Sequence, residues 1–304
     1  NFFWDPMGLE LCVQEKENLR ALMNTWYPNF NSVERHYEDY FDLSTPPPLV
    51  PLDSSVVQAA LNNGVHLASL SGHGSPYGCC GVNSGMDFSN NRKFYIMFAN
   101  SCSTARPDGV DSLAEKSTLD PDGGAIGYVG NTRYGWIGVG DNYEEFFWDK
   151  LSVSGRLGPA AGMRLATGGV RQFWTFYTQT LFGDPEMPVW TDSPKFHEVT
   201  YPKSAEWGDT VEVTVRHMGV AVANRRVTLM GGWAPGTALP KVFMTKKTNS
   251  LGKASFSLPA DGLPLSELNL TVTYSNFKPF LGTITMEEVG EVRSRVEEDR
   301  MVHH

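Results

Sequence analysis

A histidine and a cysteine each follow an apolar run of the sequence, 29 positions apart. Residues 65–70 lead into His73, and residues 94–99 lead into Cys102. If the two runs are neighbouring parallel strands, both side chains project from the same edge of the sheet, where open α/β sheets bind their ligands. A thiol and an imidazole within reach of each other make a nucleophile and its base. The spacing therefore indicates acyl-transfer chemistry through a thiol.

Glycines flank the histidine on both sides and support this interpretation. Gly72 and Gly74 allow the backbone to bend sharply and to approach a substrate closely. The backbone N–H groups of Gly74 and Cys102 are candidates for binding an oxyanion. Two plainer interpretations stand beside this one: Gly-His-Gly after a strand is often only a turn, and a cysteine after an apolar strand is usually an inert core thiol.

The other cysteines do not have the spacing of a metal site or of a disulfide scaffold. They are Cys12, Cys79 and Cys80, and no Cys-x-x-Cys pair occurs. Neither Cys79 nor Cys80 follows an apolar strand, so neither is chosen as the nucleophile. The adjacent pair fits three interpretations: wall residues of the cleft, a redox-sensitive pair or buried neutral thiols.

The segments around His73 and Cys102 alternate between strand and helix patterns. Helix patterns cover residues 13–26, 53–61 with Asp53 as N-cap, 142–151 and 159–180. Strand patterns cover residues 32–37, 65–70, 94–99 and 124–129. This alternation predicts an α/β domain, with a mostly parallel sheet flanked by helices, over residues 1–191.

The pattern becomes all-β near residue 192. Short stretches of alternating apolar and polar residues occur at 210–216, 223–230, 253–258 and 268–274, with a turn at 249–252. This spacing predicts a small β-sandwich over residues 192–288. Residues 289–304 form a charged tail, either a solvated helix or a disordered segment.

Composition excludes several classes of protein. The 304 residues are 41% hydrophobic and 19% charged, which is ordinary for a folded domain. The net charge of −9, with no run of Lys or Arg, argues against a nucleic-acid partner. The longest apolar runs are far shorter than the ~20 residues of a membrane span.

Four blocks in order resemble the gingipain family, within the caspase–gingipain–legumain clan of cysteine peptidases. Its histidine block is similar to residues 60–64 followed by 72–75, and its nucleophile block to residues 100–102 followed by 113–115. Its next strand and specificity loop are similar to residues 123–130 and Trp136, and its terminal signature to residues 181–185. The β-rich region resembles the immunoglobulin-like module that follows the gingipain catalytic domain. The resemblance implies a caspase-like α/β domain followed by an immunoglobulin-like sandwich.

The resemblance also implies roles for individual residues. Cys102 would be the nucleophile, and His73 the general base and acid. The backbone amides of Gly74 and Cys102 would form the oxyanion hole. Trp136 would lid the S1 pocket, the alternative being a core tryptophan at a strand end.

Two acidic roles fall near the beginning of the chain. The family uses one carboxylate to orient the histidine and another in S1 to bind Lys or Arg. The nearest candidates are Asp5 as the orienting acid and Glu10 in S1. Gingipains carry a further subdomain before these blocks. The resemblance leaves three expectations for that part here: a separate processed chain, a segment outside this sequence, or a reduced relative.

The expected function is that of a cysteine endopeptidase that forms a thioester on Cys102, cleaves after Lys or Arg and is activated by proteolytic processing. Its partners would be a peptide or protein substrate and a processed N-terminal segment or pro-domain. The chemistry needs no cofactor, a structural Ca²⁺ would be unsurprising, and the resemblance implies a secreted or cell-surface protein. The alternatives are an inactive binding or adhesion protein on the same fold, and a thiol transpeptidase.

Overall fold

The structure is a computed structural model that describes residues 6–30, 36–37, 50–136, 138–162, 169–233, 239–261 and 263–287, with side chains from residue 14 onward in the first of these ranges. The chain divides into two compact units, Asn1–Ser193 and Pro194–His304. The predicted strand at residues 32–37 is described only at positions 36–37, and the predicted tail at 289–304 lies outside the described residues.

The first unit alternates helices with strands. Its helices are α1 (Pro6–Trp26), α2 (Ser54–Gly64), α3 (Leu113–Thr118), α4 (Gly140–Ser154), α5 (Leu157–Ala161) and α6 (Val170–Thr178). Its strands are β1 (His36–Tyr37), β2 (Val50–Pro51), β3 (Leu67–Ser71), β4 (Gly74–Ser75), β5 (Gly78–Cys79), β6 (Val82–Asn83), β7 (Tyr95–Asn100), β8 (Ala125–Asn131) and β9 (Gln179–Gly183). The strand predictions at 65–70, 94–99 and 124–129 correspond to β3, β7 and β8 and are confirmed.

The central sheet has the strand order β3-β7-β8-β9. The first three strands are parallel, and β9 runs antiparallel to β8. The sheet is therefore mixed, with a parallel part that carries both candidate catalytic loops.

The predicted helix over residues 159–180 is confirmed only in part, because it is not one continuous helix. Two short helices, α5 and α6, occupy part of it, and strand β9 begins at Gln179. Gly169 precedes α6 in an extended conformation, with φ −79° and ψ −173°. At residues 179 and 180 pairing with the buried strand β8 replaces the predicted helix, since strand formation there depends on tertiary neighbours more than on local propensity.

The sheet is covered on both faces. Strand β7 is buried from Tyr95 to Ala99, with no residue more than 1% exposed. Ile96 and Phe98 pack with the aromatic residues of α4, and Met97 packs on the opposite face with residues of α2 and α3. A continuous apolar strand of this kind is typical of a sheet between two layers of helices.

The described residues of the second unit form strands. They are β10 (Glu198–Thr200), β11 (Ser204–Glu206), β12 (Thr210–His217), β13 (Val220–Ala221), β14 (Arg226–Gly231), β15 (Val242–Lys247), β16 (Lys253–Ser257), β17 (Glu267–Thr273) and β18 (Phe280–Glu287). One sheet has the order β10-β12-β13 with β16 beside β12, and the other has the order β11-β18-β17-β14-β15. Residues of both sheets share one hydrophobic core. The immunoglobulin-like character of this unit stays a prediction.

Candidate active site

Strands β3 and β7 bring the two candidate catalytic loops to one edge of the sheet. Ser71 and Asn100, the last residues of these strands, are register partners. His73 lies two residues beyond Ser71, and Cys102 lies two residues beyond Asn100. The Gly72 N–H also donates to the Asn100 carbonyl at 3.4 Å. The two loops therefore leave neighbouring parallel strands side by side.

The loops also contact each other beyond the strands. A methyl group at Gly74 would overlap the Ser101 Oγ and would lie 3.1 Å from the Cys102 carbonyl oxygen. Only a glycine fits this approach without a shift of the neighbouring chain. His73 is exposed and Cys102 is partly buried. The segment that carries the histidine thus packs directly on the segment that carries the cysteine.

The adjacent cysteines lie in the hairpin that follows His73. Cys79 pairs with Gly74 between β4 and β5, and Cys80 has a left-handed φ of 51°. The three cysteines whose side chains are described, Cys79, Cys80 and Cys102, are free. A hydrogen bond with Cys79, together with burial, raises the pKa of the Cys80 thiol. The raised pKa favours a neutral thiol at the half-buried Cys80, and the choice among the three interpretations of the pair stays a prediction.

The turn that carries Cys102 is held by the end of β8 and the segment after it. The Ser103 N–H donates to the Arg133 carbonyl at 2.7 Å, and the Ala105 N–H donates to the Asn131 carbonyl at 3.1 Å. Ser103 has a positive φ of 58°, which makes the turn tight. The cysteine is therefore presented on a short turn fixed at both sides.

A backbone amide points at the cysteine sulfur. The Gly135 N–H donates to the Cys102 Sγ, with a nitrogen–sulfur distance of 3.3 Å. Such a donor can stabilise negative charge that develops on the sulfur. Gly135 is a residue that the sequence analysis missed, because nothing local to the 131–136 segment signals its contact with Cys102.

Helix α3 ties the two loops together at its N-terminus. The Leu113 N–H donates to the Pro76 carbonyl at 2.7 Å, and the Ala114 N–H donates to the Thr104 carbonyl at 3.0 Å. Pro76 belongs to the hairpin after His73, and Thr104 follows Cys102. The free N–H groups that every helix has in its first turn are used here to join both loops.

Trp136 lies beside Gly135 and is 39% exposed, so it is not a core residue. The guanidinium carbon of Arg171 lies 4.9 Å from the centroid of its ring. The Trp174 Nε1–H donates to the Tyr134 carbonyl at 2.7 Å, which attaches α6 to the same segment. An aromatic wall with a cation against it therefore adjoins the segment that contacts Cys102.

The two carboxylates named from the sequence lie outside the described side chains. Asp5 is not among the described residues, and Glu10 lies in α1 with its side chain outside the description. An acidic group that the sequence analysis missed lies at the same edge of the sheet. The Asp141 carboxylate, in the first turn of α4, accepts a hydrogen bond from Asn100 Nδ2 at 2.5 Å.

Asp141 belongs to a cluster between α1 and α4. The cluster includes Glu15, Lys16, Glu144 and Glu145. Lys16 Nζ lies 2.5 Å from a carboxylate oxygen of Glu144, which is 1% exposed. Burial, followed by a hydrogen bond with Asp141, raises the pKa of Glu15 to about 8. Glu15 is therefore protonated at neutral pH and can donate to the Asp141 carboxylate.

A metal centre of three or more His, Cys, Asp or Glu side chains is not found within the described ranges. In the same part of the chain, none of the helices is long and apolar enough to cross a bilayer.

Comparison with known families settles the classification of the chain. The model of peptidase family C25 matches residues 5–190, which is more than half of the chain. The chain belongs to peptidase family C25. A comparison with curated proteins gives no match.

Two solved structures share the fold of this C25 chain. The complex of the pro- and mature domains of Porphyromonas gingivalis RgpB matches with a TM-score of 0.66 and 18% identity, over 90% of this chain and 64% of that chain. The Arg-specific cysteine proteinase gingipain R (RgpB) matches with a TM-score of 0.65 and 20% identity, over 90% of this chain and 62% of that chain. The chain thus spans less than two thirds of either structure, and the expected gingipain-like fold is confirmed.

Proposed function

We propose that this C25 chain is a cysteine endopeptidase with Cys102 as nucleophile and His73 as general base and acid. The observation that carries the proposal is the register of β3 with β7, which ends both strands at Ser71 and Asn100. Two residues farther along each strand lie an exposed imidazole and a partly exposed thiol. Family membership supplies the reaction class.

The proposed reaction proceeds through a thioester. His73 takes the proton of the Cys102 thiol, and the sulfur attacks the carbonyl carbon of the scissile peptide bond. The N–H groups of Gly74 and Cys102 donate to the oxyanion of the tetrahedral intermediate. The protonated imidazole then donates its proton to the leaving amine. Water, activated by the same imidazole, hydrolyses the thioester and releases the acid product.

We further propose cleavage after Lys or Arg. The net charge of −9 favours basic peptides by electrostatic steering. The Asp141 carboxylate, which accepts from Asn100 at the end of β7, adds local negative charge at the edge of the sheet that carries both loops. The relative gingipain R is described as Arg-specific. The P1 side chain would contact this cluster, Trp136 or both, while Glu10 stays a candidate for the same pocket.

Processing and location follow the same resemblance. The RgpB match is a complex of a pro-domain with a mature domain, which supports a pro-domain or processed segment as a partner here. Asp5 stays the candidate for the acid that orients His73. Secretion or display at the cell surface, an immunoglobulin-like second unit and a structural Ca²⁺ belong to the same proposal.

The test is a panel of fluorogenic peptides with Lys, Arg, Leu or Glu at P1, with and without reducing agent. It compares the wild type with Cys102→Ala, His73→Ala and, as a free-thiol control, Cys80→Ala. We expect turnover with Lys or Arg at P1, which Cys102→Ala and His73→Ala abolish and Cys80→Ala retains. An added amine nucleophile separates hydrolysis from transpeptidation by its products. No turnover of any peptide, with no labelling of Cys102 by a peptidyl electrophile, would favour an inactive binding protein.

A further inference from the structure

We propose that Asn131 is a positioning residue that sets the direction of the oxyanion-binding N–H of Cys102. Asn131 is the last residue of β8 and is fully buried. Its side-chain Nδ2 donates to the carbonyl oxygen of Ser101 at 2.9 Å. The inference rests on the proposed peptidase function and assigns a role to a residue that the sequence analysis did not single out.

The geometry of the peptide group links this hydrogen bond to the reaction. The Ser101 carbonyl and the Cys102 N–H belong to one planar trans peptide, so they point in opposite directions. A donor that fixes the carbonyl on one side therefore fixes the N–H on the other. The distance of 2.9 Å is that of a normal N–H···O hydrogen bond. Rotation of this peptide would turn the N–H away from the substrate carbonyl.

The backbone of Asn131 is fixed by hydrogen bonds on both sides, so its side chain can fix the Ser101 carbonyl. It pairs with Gln179 across β8 and β9, and its own carbonyl accepts the Ala105 N–H at 3.1 Å. One residue therefore holds the turn before Cys102 through its side chain and after Cys102 through its backbone. The absence of a side chain at Gly135 leaves room for the Asn131 amide, since a methyl group there would lie 2.9 Å from Asn131 Nδ2.

The polar side chain at position 131 has no other evident use in the described part of the chain. Its Oδ1 is buried and has no hydrogen-bond partner. A buried amide with an unsatisfied acceptor is unfavourable compared with an apolar side chain of similar shape. An apolar residue at this position would lose the side-chain hydrogen bond to the Ser101 carbonyl, which directly precedes the nucleophile.

The test distinguishes an effect on oxyanion binding from an effect on the reactivity of the Cys102 thiol. Asn131→Leu removes the donor at similar volume, and Asn131→Ala is the second variant should leucine prevent folding. A peptidyl aldehyde forms a tetrahedral adduct that needs the oxyanion hole, whereas iodoacetamide alkylates the thiol without one. Both reactions are followed at Cys102 by mass spectrometry, beside kcat and KM for the best peptide substrate.

We expect kcat and aldehyde affinity to fall by on the order of 10²-fold, as when an oxyanion donor is lost. The alkylation rate and KM should change less than about threefold, since the thiol keeps its surroundings. The matched control is Thr178→Val, which replaces another buried polar side chain whose Oγ1 has no partner. It should leave all four quantities within about twofold.

Two results would overturn the proposal. The first is an unchanged aldehyde affinity in both Asn131 variants. The second is a parallel loss of aldehyde affinity and of the alkylation rate, because that would indicate a general disruption of the turn. If the wild type neither cleaves peptides nor binds the aldehyde, the peptidase function itself fails. If the wild type cleaves peptides and the Asn131 variants keep its kcat and aldehyde affinity, only the positioning role of Asn131 is refuted.

Discussion

Gly74 packs against Ser101 so closely that the backbone after His73 is in direct contact with the residue before Cys102. A methyl group at position 74 would overlap Ser101 Oγ and would lie 3.1 Å from both the Cys102 carbonyl oxygen and the Cys79 Cβ. Ser101 Oγ is buried and has no partner among the described residues. The two candidate catalytic loops therefore meet here through van der Waals packing and not through a hydrogen bond.

Gly74→Ala should destabilise the chain by roughly 1–3 kcal/mol through overpacking. It should also reduce turnover strongly, because the two loops must separate to admit the methyl group. Denaturant unfolding measures the first effect and peptide hydrolysis the second. The double variant Gly74→Ala/Ser101→Ala removes the overlapping hydroxyl and should regain part of both.

The control for this experiment is Gly169→Ala, where the nearest atom to an added Cβ is Gln172 Oε1 at 3.5 Å. It should change neither quantity by much, since 3.5 Å is an ordinary contact. Equal losses in the single variant and the double variant would show that Ser101 is not the obstacle. No loss in Gly74→Ala would contradict the close packing of the loops.

Asp53→Ala should weaken helix α2, which leads into β3. Asp53 caps this helix by accepting from the backbone N–H groups of Ser55 and Val56. Hydrogen bonds from Ser55, first its hydroxyl and then its backbone, hold the pKa of the Asp53 carboxyl below its ordinary value. We expect a lower midpoint of urea unfolding at pH 7, because the first N–H groups of the helix lose their side-chain acceptor.

The pH dependence of this effect has a definite sign. Because the folded pKa of Asp53 is lowered, its charged form stabilises the fold above about pH 4, and that contribution disappears as pH falls through the folded pKa. Asp53→Asn keeps the cap without the charge and should lose less than Asp53→Ala at pH 7. Equal losses for Asn and Ala would indicate that the side chain does not cap the helix.

Much of the frame that positions the site is readable from the sequence, because its signals are local. The apolar runs of β3 and β7, the N-cap Asp53 and the Gly-His-Gly bend each depend on a few consecutive residues. The valines at 211, 213 and 215 likewise alternate into the core of the second unit. The local pattern does not predict β9, whose first two residues it assigns to a helix and whose strand conformation depends on pairing with β8.

The contacts that refine the site are long-range and carry no local signal. Asn131 reaches Ser101 across 30 positions, and Gly135 reaches Cys102 across 33. Glu15 meets Asp141 only because α1 packs beside α4. A single sequence gives no means of pairing such residues, since each alone looks like an ordinary polar or glycine position.

Glu15→Gln should remove a pH dependence of stability. The pKa of Glu15 is raised to about 8, chiefly by burial and then by Asp141, with Glu144 adding to the rise and Lys16 opposing it. Between about pH 4.5 and pH 8 the folded state therefore holds a proton that the unfolded state has lost, and stability falls as pH rises through this window. Glutamine mimics the protonated acid, so the variant should show a flatter profile.

Urea unfolding at pH 5, 7 and 9 measures the slope. Glu17→Gln is the matched control on the same helix, since the Glu17 carboxylate pairs with Arg20 at 2.7 Å near the surface. That variant should keep the wild-type slope. A wild-type stability that does not fall between pH 5 and pH 9, or parallel profiles for wild type and Glu15→Gln, would rule out a shared proton between Glu15 and Asp141.

Trp136→Ala should raise KM for peptide substrates while changing kcat little. The ring is 39% exposed and adjoins Gly135, whose N–H contacts the Cys102 sulfur. Under the proposed mechanism we therefore expect it to contact a substrate side chain beside the scissile bond. Loss of an aromatic face under a cationic side chain corresponds to roughly 2- to 30-fold in affinity. Trp136→Phe should restore part of the affinity for Lys and Arg peptides, and Trp233→Ala, an exposed tryptophan of the second unit, should have no effect. A fall in kcat at constant KM would instead mean that Trp136 supports the Cys102 turn rather than the substrate.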